Sequence, residues 1–423
     1  MISVKKYFHN TPEGLTLEDV DRFLEALLKN ELKKKPLISE YSKDVFFNDE
    51  KRDALPFSIK QFQIEDYHGI VKTGIKGIPL DTQWIFLTGE NGFGKTCVLQ
   101  AIVIGLFGNR DGEYILTDGK CSANVELKIK GENWIYHGKS SKFENFAAYG
   151  PSRLTLQNQE SQNKISRKST TTYSLFNTDG VLLNIEYHLV IWHLKKDRRY
   201  NIVTQALLRI LPHVRNIEIV EEEVFYVERE TGESGKTYQP MPFEKLASGH
   251  RNIIAMVGDM LIRFFKQQPD IEKTEDFCGI VFIDELDSHL HPKWQRKLPA
   301  LLSEVFPKVQ FVASTHSVIP FMGAPENSVF LKVTRNWDKG IQIERVEMDI
   351  KNLLPNTLLT SPLFDMEKLA QRNNENLAEV RTEDSYGEMT RNDEIRSRLK
   401  AFEESDMDFP DDLFETEEYV QEV

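Results

Sequence analysis

The sequence predicts an α/β fold with a mixed sheet, and three apolar runs of strand length are the main observation behind this prediction. They span residues 84–88, 279–283 and 309–313. Continuous apolar runs of this length are typical of strands buried on both faces of a sheet. Polar residues follow each run, and ligands collect at the carboxyl ends of strands in open α/β sheets. We therefore expect the functional residues directly after these strands.

A complete G-x-x-x-x-G-K-[ST] phosphate loop, residues 89–96, follows the first run. Its glycines let successive backbone N–H groups face an anion, and the residues after it are typical of the helix that such a loop opens. Lys95 would reach the β- and γ-phosphates, and Thr96 would offer its hydroxyl to Mg²⁺. The expected nucleotide-binding residues here are Gly89, Asn91, Gly92, Gly94, Lys95, Thr96 and Cys97.

The second run ends in Asp284 and Glu285. We expect Asp284 to share the metal with Thr96. Glu285 is placed to orient and polarise the water that attacks the γ-phosphate, because this chemistry depends on positioning. The alternative is a pair of solvated carboxylates that close a strand.

Two weaker signals complete the set. Ser248 and Gly249 stand directly before a helical segment, so Ser248 is predicted to cap a helix whose first amides can hold an anion. His316 follows the third run, at the carboxyl end of its strand. Taken separately, Ser-Gly before a helix is an ordinary cap, and a lone histidine such as His316 is more often a surface or structural residue.

The order of these parts along the chain resembles the ATP-binding cassette (ABC) ATPases, including the SMC and RecF-like branch. The resemblance implies an ABC-type P-loop ATPase with ATP and Mg²⁺ as cofactors. It also implies that Ser248 and Gly249 contact the γ-phosphate held by Lys95 of a second copy, with Asp287 in the intervening loop and His316 sensing that phosphate. Dimerisation would then be part of the active site.

Residues 282–295 and 311–317, together with the Tyr149-Gly150-Pro151-Ser152-Arg153 motif, resemble compact bacterial ATPases of OLD-type, retron-associated and Septu anti-phage systems. The resemblance covers roughly residues 56 to 350. Two features depart from the ABC pattern. The signature is Ala-Ser-Gly-His instead of Ser-Gly-Gly-Gln, and no glutamine loop can be placed, which leaves the metal shell incomplete.

Composition sets limits on the class of protein. The net charge is −13, but the tail 403–423 contains ten acidic residues and no basic one, so the rest of the chain is nearly balanced. No stretch of eighteen apolar residues and no secretory leader are apparent, so a membrane partner is not expected. Three cysteines far apart in a 423-residue chain suit the reducing cytoplasm, which is the expected location.

Four segments are expected. Residues 1–55 form an N-terminal helical extension, and residues 56–350 form the ATPase domain, with a small antiparallel sheet near 123–137 and a partly helical insert at about 155–245. Residues 351–402 form C-terminal helices. The tail 403–423 is expected to be flexible, as a solvating tail or as a segment that folds onto a partner.

The leading hypothesis is the sensor or regulatory subunit of a bacterial anti-phage complex. It would assemble as a homodimer or higher homo-oligomer through its ATP sites. A separate effector, expected to be a nuclease, would bind through the C-terminal region, and nucleic acid would be contacted through the complex. The alternatives are a RecF-like DNA repair ATPase that binds DNA directly and an ATP-holding scaffold with slow or absent hydrolysis.

Overall fold

A computed structural model describes residues 54–108, 122–137, 143–157, 167–229, 238–347, 350 and 355–364 of the chain. The predicted N-terminal helix, the predicted helices beyond residue 365 and the acidic tail lie outside the described residues. The strands of the described part are β1 (Phe57–Tyr67), β2 (Ile70–Ile75), β3 (Trp84–Thr88), β4 (Ser122–Ile129), β5 (Glu132–Tyr136), β6 (Phe146–Tyr149), β7 (Val214–Val220), β8 (Glu223–Glu228), β9 (Gly279–Ile283), β10 (Val309–Ser314), β11 (Ser328–Asn336) and β12 (Gly340–Val346).

Ten of these strands form one mixed sheet in the order β5-β4-β1-β2-β12-β11-β3-β10-β9-β6. The strands β11, β3, β10, β9 and β6 run parallel to one another. The remaining pairs in the sheet are antiparallel. The predicted α/β fold with a mixed sheet is confirmed. The three apolar runs are central neighbours in the order β3, β10, β9, so the segments that follow them meet at one edge of the sheet.

Helices cover both faces of the sheet. They are α1 (Lys95–Phe107), α2 (Tyr173–Phe176), α3 (Ile185–Leu194), α4 (Arg198–Ile210), α5 (Ser248–Gln267), α6 (Pro292–Val305) and α7 (Pro355–Leu359). Helix α6 begins with Pro292, whose fixed φ suits a first helical turn, and His291 accepts the Lys293 N–H as its cap. Among the described residues, no helix is long and apolar enough to cross a membrane.

The side chains of β3 alternate between two hydrophobic cores. Trp84 and Phe86 enter the core formed with α3 to α6, whereas Ile85 and Leu87 enter the core formed with α1. Trp84 stacks on Phe311 of β10 with ring centroids 4.5 Å apart. Burial on both faces stabilises β3 by about 1.5 to 3 kcal/mol for each large side chain. The strand that leads into the phosphate loop is therefore fixed from both sides.

Antiparallel pairing in the chain differs in detail from the prediction. The strands predicted near 123–137 are β4 and β5, and they extend the large sheet instead of forming their own. The separate small sheet is the β7-β8 hairpin, which lies within the partly helical insert expected at about 155–245. Its turn residues Glu221 and Glu222 have φ values of 52° and 67°. Hairpin turns with two positive φ values usually carry Asn or Gly, so this turn left no sequence signal.

The polar composition of residues 157–172 predicts an exposed loop. Among its described residues the outcome is mixed, because Arg167 and Lys168 are exposed, whereas Ser169 is fully buried and Thr172 is 2% exposed. The Ser169 carbonyl accepts a hydrogen bond from the buried Arg263. The polar composition therefore reflects a buried polar contact at Ser169 as well as solvent exposure at Arg167 and Lys168.

Packing continues beyond residue 350. Leu358 and Leu363 are buried in the core that also contains Trp84, and Phe364 lies edge-on to Phe321 at 5.4 Å. At the opposite extreme, Trp337 is fully exposed in the turn between β11 and β12.

Candidate active site

The phosphate loop connects β3 to α1 through three glycines in the left-handed region. Gly89, Gly92 and Gly94 have φ values of 149°, 82° and 93°. A Cβ atom at Gly89 would lie 2.3 Å from the Val333 carbonyl oxygen, and one at Gly94 would lie 2.3 Å from Ile341 Cδ1. Both neighbours belong to the β11-β12 hairpin. The glycines therefore serve the backbone turn and also the close approach of this hairpin.

Lys95 is the first residue of α1 and is largely buried. Its Nζ donates to the carbonyl oxygens of Gly89 at 2.8 Å and Glu90 at 3.1 Å. Burial lowers the pKa of Lys95, while the carboxylates of Asp284, Asp287 and Glu285 act in the opposite direction. The ammonium is thus held over the loop by neutral acceptors, which leaves its charge available to an anion.

The loop and the second strand end meet directly. Thr96 Oγ1 donates to Asp284 Oδ2 at 2.7 Å, across 188 residues of sequence. The other Asp284 oxygen accepts from the Ser314 hydroxyl at the end of β10. Asp284 itself is only 2% exposed. The sequence motifs on three neighbouring strands are therefore joined through this one carboxylate.

The Glu285 backbone has a φ of 50°, a conformation that residues with a side chain rarely adopt. Its N–H donates to Ser314 Oγ at 2.8 Å, and the Leu286 N–H donates to the Ser314 carbonyl at 2.9 Å. These bonds hold the turn after β9 against the end of β10. In the described part of the chain, the Glu285 carboxylate has no hydrogen-bond partner, so it remains available as an acceptor.

Arg153 lies behind this turn and is 1% exposed. Its guanidinium donates to the carbonyl oxygens of Asp284 at 2.6 Å, Glu285 at 2.8 Å and Gly150 at 3.1 Å, and to Asn252 Oδ1 at 3.1 Å. Burial lowers the pKa of Arg153 to about 10, against the pull of Asp284, Glu285 and Asp287. The side chain therefore stays charged at neutral pH.

His316 and Asp287 form a second pair beside the site. His316 Nδ1 lies 3.3 Å from Asp287 Oδ2, and the His316 side chain is 52% exposed. The other Asp287 oxygen accepts from Thr315 Oγ1 at 2.5 Å. The structure thus places the predicted His316 at the strand edge beside the Asp-Glu turn, with about half of its side chain exposed to solvent.

Ser248 and Gly249 begin helix α5, but the predicted cap is wrong. Ala247 occupies the cap position, Ser248 is the first helical residue, and no side chain caps the helix. Because Ser248 is already helical, its exposed hydroxyl is free for another acceptor. A Cβ atom at Gly249 would lie 3.2 Å from the His289 carbonyl oxygen. No hydrogen bond or ion pair joins Ser248 or Gly249 to residues 89–96 within the described ranges.

Arg153, Ser314 and Thr315 were not assigned roles from the sequence. Arg153 belongs to the 149–153 motif, for which the sequence predicts no function. Ser314 and Thr315 directly precede His316. Among the partners of these three residues, Asp284, Glu285 and Asp287 lie 28 or more positions away. No local spacing pattern could have identified these contacts. Among the described residues, no glutamine side chain bonds to Thr96, Asp284 or Glu285.

The donor atoms suit ATP with Mg²⁺. The Thr96 hydroxyl and the Asp284 carboxylate supply hard oxygen ligands at one point, and Mg²⁺ is commonly held by one or two protein oxygens together with phosphate and water. Consistent with such a sparse set, the described residues contain no group of three or more His, Cys, Asp or Glu side chains that could hold a metal. Cys97, next along the helix, is half-buried, and burial raises the pKa of its thiol.

A phosphate loop after β3, an Asp-Glu pair after β9 and a histidine after the strand between them form the arrangement expected of a P-loop nucleotide site. Residues 204–319 match the family described as "AAA domain, putative AbiEii toxin, Type IV TA system". A solved SMC head domain from Thermotoga maritima covers 69% of this chain and 99% of its own, with 16% identity and a TM-score of 0.37.

The curated relatives carry Septu and retron names. It is 28% identical over 306 residues to the Septu protein PtuA of Bacillus mycoides (strain KBAB4), which covers 67% of this chain and 41% of that protein. It is 44% identical over 72 residues to the "Retron Vc95 probable ATPase" of Vibrio cholerae serotype O1 biovar El Tor, which covers 17% of this chain and 14% of that protein. The chain thus spans less than half the length of these relatives.

Proposed function

We propose that this protein binds ATP with Mg²⁺ and hydrolyses ATP in composite sites between two copies of the chain. The contact of 2.7 Å between Thr96 Oγ1 and Asp284 Oδ2 carries the proposal, because it brings a phosphate-loop hydroxyl and a strand-end carboxylate to one point. Such a pair is the usual protein contribution to a nucleotide-bound Mg²⁺.

The bound Mg²⁺ would neutralise charge on the β- and γ-phosphates. Lys95 and the loop amides orient those phosphates, and Thr96 and Asp284 hold the metal. Glu285 accepts a hydrogen bond from the attacking water through its unpartnered carboxylate, and His316 contacts the γ-phosphate side of the site. Ser248 and Gly249 of the second copy close the site, which agrees with the exposure of Ser248.

We further propose that ATP turnover controls a separate effector in an anti-phage complex. The names of the Septu and retron relatives support this role. Chemistry on nucleic acid would then belong to the effector, and the nuclease is the expected class. Contact with the effector through the chain beyond residue 364 is part of the proposal.

Two variants test the composite site. Glu285→Gln keeps the side-chain volume and removes the carboxylate, so we expect ATP binding with turnover reduced by about a hundredfold or more and a trapped dimer. Ser248→Arg places a bulky cation at the proposed interface, so ATP binding should persist while the dimer is lost. Static light scattering with ATP and Mg²⁺ measures the oligomeric state of both variants. A Glu285→Gln protein that stays monomeric under saturating ATP would contradict the clamp.

The regulatory role has its own test. The product of the neighbouring gene is co-expressed with this chain, and the pair is purified by a tag on one partner. We expect a stable complex, and we expect phage protection to require both proteins. Full protection by this chain alone would overturn the regulatory role while leaving ATP binding intact.

A further inference from the structure

Arg153 joins three elements that belong to two different parts of the proposed active site. Its guanidinium donates to the backbone of the Asp284-Glu285 turn, to the Gly150 carbonyl after β6, and to Asn252 on α5. The Asp-Glu turn serves the ATP bound by the same copy. Helix α5 carries Ser248 and Gly249, which in the proposed function serve the ATP bound by the partner.

Asn252 completes the link from the helix side. Its Oδ1 accepts from Arg153 Nε at 3.1 Å, and its Nδ2 donates to the Ser288 carbonyl at 3.1 Å. Asn252 is 2% exposed and lies one helical turn after Ser248. One polar end of this amide is therefore bonded directly to the segment that contains Glu285, and the other end is linked to that segment through Arg153.

A second set of contacts fixes the middle of α5 to the same strand end. The Tyr149 hydroxyl donates to Asp259 Oδ2 at 2.8 Å, and the Asp284 N–H donates to the Tyr149 carbonyl at 2.8 Å. Asp259 also accepts from Arg263 at 2.6 Å, and both side chains are buried. Helix α5 is thus attached at two levels to the segment that contains Asp284 and Glu285.

We propose that Arg153 and Asn252 couple the ATP site of one copy to the signature helix that acts in the other site. This inference rests on the proposed function. Arg153 is a positioning residue: it contacts no nucleotide but fixes the left-handed Glu285 backbone and passes changes in that turn to α5 through Asn252. Two sites in a dimer then respond to each other's occupancy through a continuous set of hydrogen bonds.

The test separates coupling from simple stability. Asn252→Leu removes both amide bonds at similar volume, and Arg153→Lys keeps the charge without the planar fork. Gln267→Leu, at the far end of the same helix, removes an amide bond to the Phe146 carbonyl and is the matched control. Thermal unfolding first establishes that each variant is folded.

The readout is hydrogen exchange with and without ATP and Mg²⁺, in a Ser248→Arg background that keeps each copy separate. We expect ATP to protect residues 89–96 in every variant. Protection at residues 247–256 should change with ATP in the parent and in Gln267→Leu, and not in Asn252→Leu or Arg153→Lys. If ATP changes the protection of residues 247–256 in Asn252→Leu as much as in the parent, the coupling is overturned. Absent protection of 89–96 in the parent overturns the proposed function instead.

Steady-state kinetics without the Ser248 change gives an independent measure. Loss of a hydrogen bond to a charged group should lower kcat of Asn252→Leu by about tenfold, with KM for ATP unchanged within about twofold. The double variant with Arg153→Lys should lose little more than either single variant, because both break one link. Additive losses, or a change confined to KM, would show that the two residues act separately and would overturn the link.

Discussion

The two halves of the candidate site are held in place by different means. The phosphate loop is fixed by eight consecutive residues, in which three glycines adopt positive φ and lead into α1. The Asp-Glu turn is fixed by side chains from distant positions, with Ser314 29 residues away and Arg153 131 residues from its Asp284 partner. The first half is locally encoded, whereas the second depends on the completed sheet.

This difference separates binding from chemistry. Lys95 bonds within its own loop, so the groups that would hold phosphates keep their geometry without help from the other half. Glu285 depends on Ser314 and Arg153 for its backbone conformation. Damage to the distant contacts should therefore slow turnover more than it weakens ATP binding.

The largest effect on ATP affinity is expected from removing the Lys95 charge in the phosphate loop. Lys95→Ala should weaken ATP binding by about a hundredfold, because a charge-assisted contact to phosphate is lost. Isothermal titration calorimetry with ATP and Mg²⁺ measures the affinity. Lys308→Ala is the control, since Lys308 forms an exposed ion pair with Asp276 at 2.8 Å and such pairs contribute little. Equal losses in both variants would contradict a specific role for Lys95.

A smaller effect, on turnover instead of ATP affinity, is expected from a variant that loosens the Asp-Glu turn. Ser314→Ala removes the hydroxyl that accepts from the Glu285 N–H at 2.8 Å and bonds to Asp284. We expect kcat to fall by about tenfold, because the Glu285 turn loosens, with ATP affinity within about twofold. Ser328→Ala, at the opposite end of the sheet, is the control. If Ser314→Ala instead weakens binding as much as turnover, the two halves are not separable.

The pH dependence of stability tests a residue, Glu186, that belongs to neither half of the candidate site. Burial, together with Glu244 and Glu223, raises the pKa of Glu186 to about 8 from 4.5. A carboxyl group whose pKa is raised in the folded state contributes its full share of stability below its unfolded pKa of 4.5. This contribution is lost as the pH rises through the folded pKa of about 8. The parent should lose about 1 kcal/mol between about pH 7 and about pH 9 through this residue.

Glu186→Gln should remove that part of the pH dependence without altering ATP affinity at neutral pH. Chemical denaturation at several pH values measures the free energy of unfolding. Glu132→Gln, on the exposed β5 edge, is the control. A Glu186→Gln protein with the parent's slope would show that this carboxyl does not contribute to the dependence.

Sequence predicted the contiguous parts of the molecule well. The apolar strands, the phosphate loop and the position of Asp284 and Glu285 depend on neighbouring residues, so local patterns are enough to infer them. The Ser248 cap was wrong because the helix starts one position earlier than its polar residue suggests. The β7-β8 turn carries two glutamates where glycine or asparagine is usual. The roles of Arg153 and Ser314 depend on long-range contacts that spacing does not reveal.

The exposed Trp337 has a practical consequence. Two residues earlier, Arg335 Nη1 approaches the Gly92 carbonyl oxygen at 3.5 Å, so the indole projects from the same hairpin that borders the phosphate loop. Trp84 and Trp192 are buried in the core, where their surroundings change little. Trp134 on β5 is 50% exposed and would also be quenched. In a Trp134→Phe background, Trp337 is therefore a native fluorescent reporter at the rim of the nucleotide site, and acrylamide quenching can follow closure of the site without an added dye.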